Sequence, residues 1–207
     1  MITNGQTTAL YRFMEWIMRF AYLQFLWIAC MCLGLFVGGI FPSTTAMFAV
    51  ARKWIRKETE VPIGPLFWKQ FKSDFLKANA VGWLMLAAGF VLYFYMRFFQ
   101  GSEGFTSLIM FVILVILIFL YCMTFIFIFP IFVHYRMSIF HLIRHSTLFA
   151  LAHPFHGITM IVCIALFILM ITLLPGLLPF LSFSILAFSM MWIANLAFEK
   201  IDHATIR

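Results

Sequence analysis

Residues 158–198 read ITMIVCIALFILMITLLPGLLPFLSFSILAFSMMWIANLAF, an apolar stretch without one charged side chain. A single helix of this length would be about twice as long as the roughly 20 residues that cross a bilayer. The sequence PGLLP, from Pro175 to Pro179, marks the point where the chain turns back, because proline cannot continue a helical hydrogen-bond ladder and glycine tolerates turns. The stretch therefore predicts two transmembrane helices, at about 158–174 and 178–198.

The rest of the chain has the same apolar character. Of its 207 residues, 65% are hydrophobic and 10% are charged, whereas soluble domains have about a quarter of their residues charged. In lipid every backbone polar group must be satisfied within the protein, and continuous apolar runs of about 20 residues predict helices, since barrel strands alternate over about ten residues. We predict an all-α polytopic membrane protein of one domain with five spans, the first three at about 20–40, 80–96 and 108–133. Pro42 is expected to end the first span.

Positive charge is unevenly distributed between the predicted loops. Seven of the fourteen lysines and arginines lie in residues 41–79. With five spans, this loop, residues 134–157 and the carboxy tail share one side and carry eleven of the fourteen, against three on the other side. The positive-inside rule makes the first side cytoplasmic. We therefore predict a bacterial plasma membrane protein with its carboxy terminus inside and its amino terminus outside, unless residues 10–19 form an interfacial helix that alters the amino-terminal topology.

The basic segment between the first two spans predicts two amphipathic helices joined by a linker. Ser43 or Thr44 is suited to cap the first helix, which would continue to about Lys57 with its arginines repeating at four residues. Such a cationic helix either lies in the headgroup plane, with its aromatic face toward the acyl chains, or packs against other helices of the same protein. The second helix carries an aromatic stripe and runs into the second span near Asn79.

This hairpin, residues 43–79, is the candidate interface with a cytoplasmic or membrane partner. The alternative is that it serves only as a lipid anchor and topology signal, because basic and aromatic residues next to spans contact anionic headgroups. The same reasoning makes nucleic acid an unexpected partner despite the net charge of +7. The interface candidates are Thr44, Arg52, Lys53, Trp54, Arg56, Trp68, Lys69, Phe71 and Lys72.

The sequence carries no pattern typical of catalysis. Paired carboxylates, a nucleophile elbow, a phosphate-binding glycine loop and a metalloprotease motif are all missing, so we expect neither an enzyme nor a cofactor. His134, His141 and His145 would share a face only if the third helix continued past the membrane, and no nearby carboxylate or cysteine completes a metal site. Gln24 and Asn195 are the deepest strongly polar side chains, and they are suited to interhelical hydrogen bonds.

Two motifs in the basic segment carry a family resemblance. They are FPSTTAM at 41–47 with VARKW at 50–54, and FWKQF at 67–71 with FLKAN at 75–79, followed by Phe129–Pro130 and by Ala152 with Pro154. The chain thereby resembles the YesL-like bacterial membrane proteins, the domain of unknown function 624. The resemblance implies a small membrane protein of Gram-positive bacteria, of unestablished activity, encoded beside carbohydrate uptake genes. It implies an accessory or assembly factor that contacts ABC transporter subunits. The alternative is an independent small-solute transporter or channel lined by Gln24 and Asn195.

Overall fold

The computed structural model describes residues 3–100, 104–135, 137–173, 176 and 180–205, and within these ranges the side chains of residues 11–200. This part of the chain forms seven helices and contains no strand. The helices are α1 (Thr3–Leu33), α2 (Ile40–Ile55), α3 (Ile63–Gln100), α4 (Phe105–His134), α5 (Ile139–Ala152), α6 (Pro154–Leu173) and α7 (Ser182–Thr205). Five of them, α1, α3, α4, α6 and α7, are long and apolar enough to cross a membrane. The predicted all-α membrane fold with five spans is confirmed, while most of the predicted turn at 175–179 lies outside the described residues.

The first span differs from its prediction at both ends. It was predicted over 20–40 with Pro42 as the terminator, but α1 begins at Thr3, includes residues 10–19 without a break, and ends at Leu33. A tight turn follows, in which Leu35 and Phe36 have φ of 54° and 59°. Pro42 lies in the first turn of α2, where its missing N–H has no helical partner to lose. The chain leaves the helix at Leu33 rather than at Pro42, and the turn that follows is so tight that neither Gly34 nor Gly39 has room for a Cβ.

Helix α2 is the central helix of the bundle. Ten of its sixteen residues are buried, and it packs against α1, α3, α4 and α7. It begins at Ile40, so the prediction that Ser43 or Thr44 caps it is wrong; the Thr44 hydroxyl donates instead to the Ile40 carbonyl at 2.6 Å. Because α2 is buried between other helices, it does not lie in the headgroup plane, and that interpretation is wrong. The helix instead packs against other helices of the same protein. Small residues such as Ala46 and Ala51, both 0% exposed, let the neighbouring helices approach α2 on several sides.

Helix α3 is one uninterrupted helix of 38 residues, which corresponds to about 57 Å. Its first half packs along α2. The second helix of the predicted hairpin and the second predicted span are therefore parts of one helix. Its second half runs beside the first half of α4, where the Tyr121 hydroxyl donates to the Met85 carbonyl at 2.8 Å. The outward apolar side chains of this pair, such as Phe90 and Phe119, are exposed, as expected for surfaces that face lipid.

The remaining helices pack on the carboxyl half of α4. Helix α4 ends at His134, and Tyr135 is extended (φ −117°, ψ 131°), so the continuous helix required for a shared histidine face is not present. Helix α5 then runs back along α4, with the Phe127 and Phe149 rings 5.2 Å apart. Helix α7 is the most buried of the five apolar helices and brings the Phe198 ring within 4.3 Å of the His134 ring.

Helices α1 and α2 form an antiparallel hairpin. The Trp27 indole N–H donates to the Thr44 hydroxyl at 3.2 Å near the turn, and the Trp16 and Trp54 rings lie 5.6 Å apart near the other end. Beyond Trp54, an Arg19 Nη1 donates to the Thr59 carbonyl at 3.0 Å. Atoms so close cannot lie on opposite sides of a hydrocarbon core about 30 Å thick. The prediction that Arg19 and the 41–79 segment lie on opposite sides is therefore wrong, and the side that they face stays a prediction.

Candidate functional site

An open cleft of about 680 Å³ lies between α2, the first half of α3 and the carboxyl end of α4. Its walls combine residues that are far apart in the sequence but face one another across the three helices. We call it the basic cleft. It is lined by Ala49, Arg52, Lys53, Arg56, Leu66, Lys69, Gln70, Ser73, Asp74, Lys77, Phe132, Val133 and His134.

The basic cleft has a large excess of positive charge. Five lining residues are lysine or arginine and one, Asp74, is a carboxylate. The Asp74 oxygens accept hydrogen bonds from Gln70 Nε2 and, at 3.3 Å, from the Ser73 hydroxyl, so this carboxylate is held by neutral donors of its own helix. At the rim, Lys53 forms an ion pair with Glu58 at 2.5 Å. The hydrogen bond from Lys53 holds the pKa of Glu58 below its usual range.

Arg52 attaches α2 to the end of α4. Its Nη1 donates to the Val133 carbonyl at 2.7 Å. That carbonyl lies in the last turn of α4, where carbonyls have no helical partner, and a cation there is also favoured by the helix dipole. Burial lowers the pKa of Arg52, and the charge of nearby Arg56 lowers it further. Lys77 makes a similar contact from α3, donating from Nζ to the Met137 carbonyl in the α4–α5 connection.

The nine interface candidates fall into four groups in the structure. Arg52, Lys53, Arg56 and Lys69 line the basic cleft. Trp54 and Phe71 are buried, 5% and 6% exposed, so these two cannot meet a partner directly. Thr44 is half-buried and lies in the wall of a second cavity.

Trp68 and Lys72 lie on a different face of α3 from Lys69. Trp68 is 41% exposed, the Lys72 ammonium sits 4.5 Å from the centre of its ring, and Leu76, one turn further, is 83% exposed. We call Trp68, Lys72 and Leu76 the outer face of α3. The sequence offered one signal for the separation: residues 68, 72 and 76 repeat at four-residue spacing, and so do residues 69, 73 and 77 of the basic cleft.

Gln24 and Asn195 are not brought together. Gln24 is 1% exposed, and its Oε1 accepts from the backbone N–H of Ser184 at 3.0 Å, which joins α1 to the first turn of α7. Asn195 instead donates along its own helix to Glu199 Oε1 at 2.8 Å. The second cavity, about 210 Å³ between the helices, has neither residue in its walls and is lined almost entirely by apolar side chains such as Phe48, Phe129 and Met190.

Several residues of the basic cleft were not among the candidates predicted from the sequence. Four of them lie on α3 beside the aromatic stripe, and only residues next to them were chosen as candidates: Gln70, Ser73, Asp74 and Lys77. His134 reaches the cleft from the end of α4, more than 50 residues away in the chain. No periodicity within the 43–79 segment could have predicted that contact, since it depends on how α4 packs against α2.

Apolar helices around a buried α2, with a charged cleft at one end of the bundle, define a polytopic helical membrane protein. The chain belongs to the family described as protein of unknown function, DUF624, whose model matches residues 20–96. This match covers α2 and the part of α3 that forms the basic cleft. The predicted membership of the YesL-like family is confirmed.

Three relatives from Bacillus subtilis (strain 168) support the assignment. The chain is 32% identical over 199 residues to the uncharacterized protein YteU, covering 96% of this chain and 89% of the relative. It is 31% identical to the uncharacterized protein YesV, over 95% of this chain and 94% of that protein. Identity to the uncharacterized protein YesL is also 31%, over 74% and 70% of the two chains. No solved structure matches.

Proposed function

We propose that the protein is a non-catalytic accessory or assembly subunit of the bacterial plasma membrane that binds a subunit of a carbohydrate ABC transporter. The observation that carries this proposal is the outer face of α3, where Trp68, Lys72 and Leu76 present an exposed aromatic, cationic and aliphatic side chain in consecutive turns. Aromatic residues are enriched among those that dominate binding energy at protein interfaces. The lysine favours a partner surface with acidic residues.

The outer face is supported by a buried layer beneath it. Phe67 and Phe71, which flank Trp68 on the core side of the same helical turns, are 0% and 6% exposed and belong to the core around α2. The Trp68 ring also stacks on Phe71, with the ring planes 8° apart. A surface held in place before binding loses little conformational entropy when a partner docks.

The alternative, an independent small-solute transporter or channel, has less support. It requires polar side chains along a path between the helices, and transport sites in membranes are usually marked by polar or ionisable groups. Gln24 and Asn195 are both hydrogen-bonded within the protein, and the cavity between the helices is apolar. Transport in liposomes that contain this protein alone would favour the alternative over the accessory role.

We further propose that both ends of the chain face the cytoplasm. Arg19, in the middle of α1, contacts the α2–α3 connection, and Phe198 near the end of α7 contacts the end of α4, which Arg52 joins to α2. The cations of α1, of the basic segment and of α7 then share one end of the bundle, while Arg97 lies at the far end of α3. This distribution agrees with the positive-inside rule.

Topology reporters test the orientation. Reporters of cytoplasmic location fused separately to the amino and carboxy termini are both expected to be active in a bacterial host, and a reporter inserted in the α3–α4 connection is expected to report the outside. Substituted cysteines labelled in intact cells give an independent measurement. An amino-terminal fusion that reads outside would refute the proposed orientation while leaving the accessory role open.

The docking surface is tested by a pair of matched variants. Trp68→Ala with Lys72→Ala removes an aromatic and a cationic side chain one turn apart. We expect the recovery of transporter subunits in mild-detergent copurification to fall about tenfold or more. The reason is that residues that dominate an interface each contribute at least about 2 kcal/mol to binding. Tyr93→Ala with Arg97→Ala removes the same pair of chemical groups at the same spacing on the same helix, where both side chains are exposed. That control should leave recovery unchanged.

Two results would contradict the accessory role. One is that crosslinking and copurification of the native protein recover no transporter subunit. The other is that the Trp68 and Tyr93 variants recover the subunits equally well, which would place the contact elsewhere.

A further inference from the structure

We propose that the basic cleft is a binding site for the phosphoryl group of a phosphate ester. The cleft is separate from the outer face of α3, so the proposal does not depend on the accessory role. Its geometry is set by three helices that meet at one end of the bundle, with cations contributed by Arg52, Lys53 and Arg56 from α2 and by Lys69 and Lys77 from α3.

The charges of the basic cleft are not balanced within the described residues. Lys53 is paired with Glu58 at the rim, and the other four cations face one carboxylate, Asp74, which already accepts two hydrogen bonds from neutral donors. Like charges gathered around a partly enclosed space repel one another more strongly than in water. An anion in the cleft would relieve this repulsion, which gives the cleft a physical reason to bind one.

Arg52 adds a directional donor to the excess charge. Its Nη1 is fixed on the Val133 carbonyl, which holds the guanidinium in place, while its Nε is buried and has no hydrogen-bond partner among the described residues. A buried N–H without a partner costs free energy, so a ligand oxygen that accepts from it would be stabilised. The planar guanidinium is suited to oxyanions with several oxygens in fixed geometry.

The arrangement favours a phosphoryl group over a carboxylate. Lysines and arginines approach from two helices and would surround an anion with several oxygens, whereas a carboxylate offers two oxygens and a single charge. The volume of about 680 Å³ is within the range of small-molecule sites, so the phosphate can carry an organic substituent. Leu66 and Phe132 supply apolar wall for that substituent. A phospholipid headgroup and a soluble phosphate ester share this chemistry.

The test measures binding to the purified full-length protein with two classes of probe. Phosphatidylglycerol in lipid nanodiscs, against nanodiscs of phosphatidylcholine alone, represents the lipid source, and native mass spectrometry counts retained lipids. Glycerol 3-phosphate and inorganic phosphate represent the soluble source, and calorimetry measures their affinity in the same detergent.

The cleft variant is Arg56→Gln with Lys69→Gln. Both side chains are exposed, and neither holds the α4–α5 connection as Arg52 and Lys77 do, so the fold is expected to persist. The control, Arg97→Gln with Arg144→Gln, removes the same charge from exposed positions outside the cleft. We expect binding of at least one phosphate probe near one per chain, weakened about tenfold or more in the cleft variant and unchanged in the control.

Each outcome decides the proposal. Retention of phosphatidylglycerol alone supports a lipid headgroup as the ligand, and binding of glycerol 3-phosphate supports a soluble ester. Equal losses in the cleft variant and in the control would show that general surface charge binds the probes, which overturns the site. Failure of every probe to bind the unmodified protein also overturns it, while leaving the copurification result at the outer face of α3 unaffected.

Discussion

Gly39→Ala is expected to lower the free energy of unfolding by about 2 kcal/mol or more, since overpacking a tight contact typically costs 1–3 kcal/mol. A Cβ at Gly39 would lie 2.4 Å from the Met31 carbonyl oxygen and 2.8 Å from the Met31 Cα. These are backbone atoms of α1, so no side-chain rotation can make room. The turn cannot easily widen, because the Gly39 carbonyl accepts from Ser43 N at 3.0 Å and its N–H donates to Phe36 at 3.2 Å.

The measurement is thermal unfolding in mild detergent, followed by tryptophan fluorescence. Trp27 lies near the turn and is buried against α7, so its emission should respond when the α1–α2 hairpin opens. Gly176→Ala is the control, because a Cβ at Gly176 would meet nothing within 4 Å. An unfolding temperature for Gly39→Ala equal to that of the control would mean that the two helices do not approach as closely as described.

Gln24→Leu is expected to destabilise the protein by about 1–3 kcal/mol. The substitution keeps a side chain of similar size but removes the oxygen that accepts from Ser184 N–H at 3.0 Å. Ser184 lies in the first turn of α7, where backbone N–H groups have no partner within the helix. Because both residues are buried in an apolar core, no water replaces the lost acceptor.

Asn195→Leu provides the comparison for Gln24→Leu. The Asn195 amide bonds only to Glu199 on the exposed side of its own helix among the contacts described, so its loss is expected to change the free energy of unfolding by less than about 0.5 kcal/mol. Hydrogen exchange at the start of α7 should increase in Gln24→Leu and not in Asn195→Leu. Equal stability of the two variants would refute the role assigned to Gln24.

The helical membrane fold could be predicted because it depends on long-range composition. An uncharged, continuously apolar run long enough to cross a bilayer forms a helix in lipid, because the helix satisfies its own backbone hydrogen bonds. Helix α4, Phe105–His134, accordingly lies close to its predicted range of 108–133. The position of α2 could not be predicted in the same way. An apolar helical face looks identical in the sequence whether it meets lipid or other helices, and Arg52 with Arg56 at one end made α2 resemble a membrane-surface helix.

The errors in the predicted topology and in the predicted site both arise because the position of α2 depends on tertiary packing. With α2 placed on the membrane surface, α1 alone separated the amino terminus from the 41–79 segment, whereas in the structure α2 runs back along α1 and brings Thr59 to Arg19. Four of the interface candidates do line one cleft, because arginine and lysine spacing on a helix is visible in the sequence. Their partners Val133 and His134 were missed, since only tertiary packing brings the end of α4 to α2.

Helix α3 connects the outer face to the lipid-exposed half of its own length without a break. No proline interrupts α3 after Pro65, and the helix is about 57 Å long. Its first half carries the outer face and packs on α2, and its second half packs on α4 with exposed apolar side chains. The first half of this helix is fixed on the core, since Phe67 and Phe71 are 0% and 6% exposed. The packing around α2 therefore also sets the direction in which the Tyr93 end continues, because no break separates the two halves.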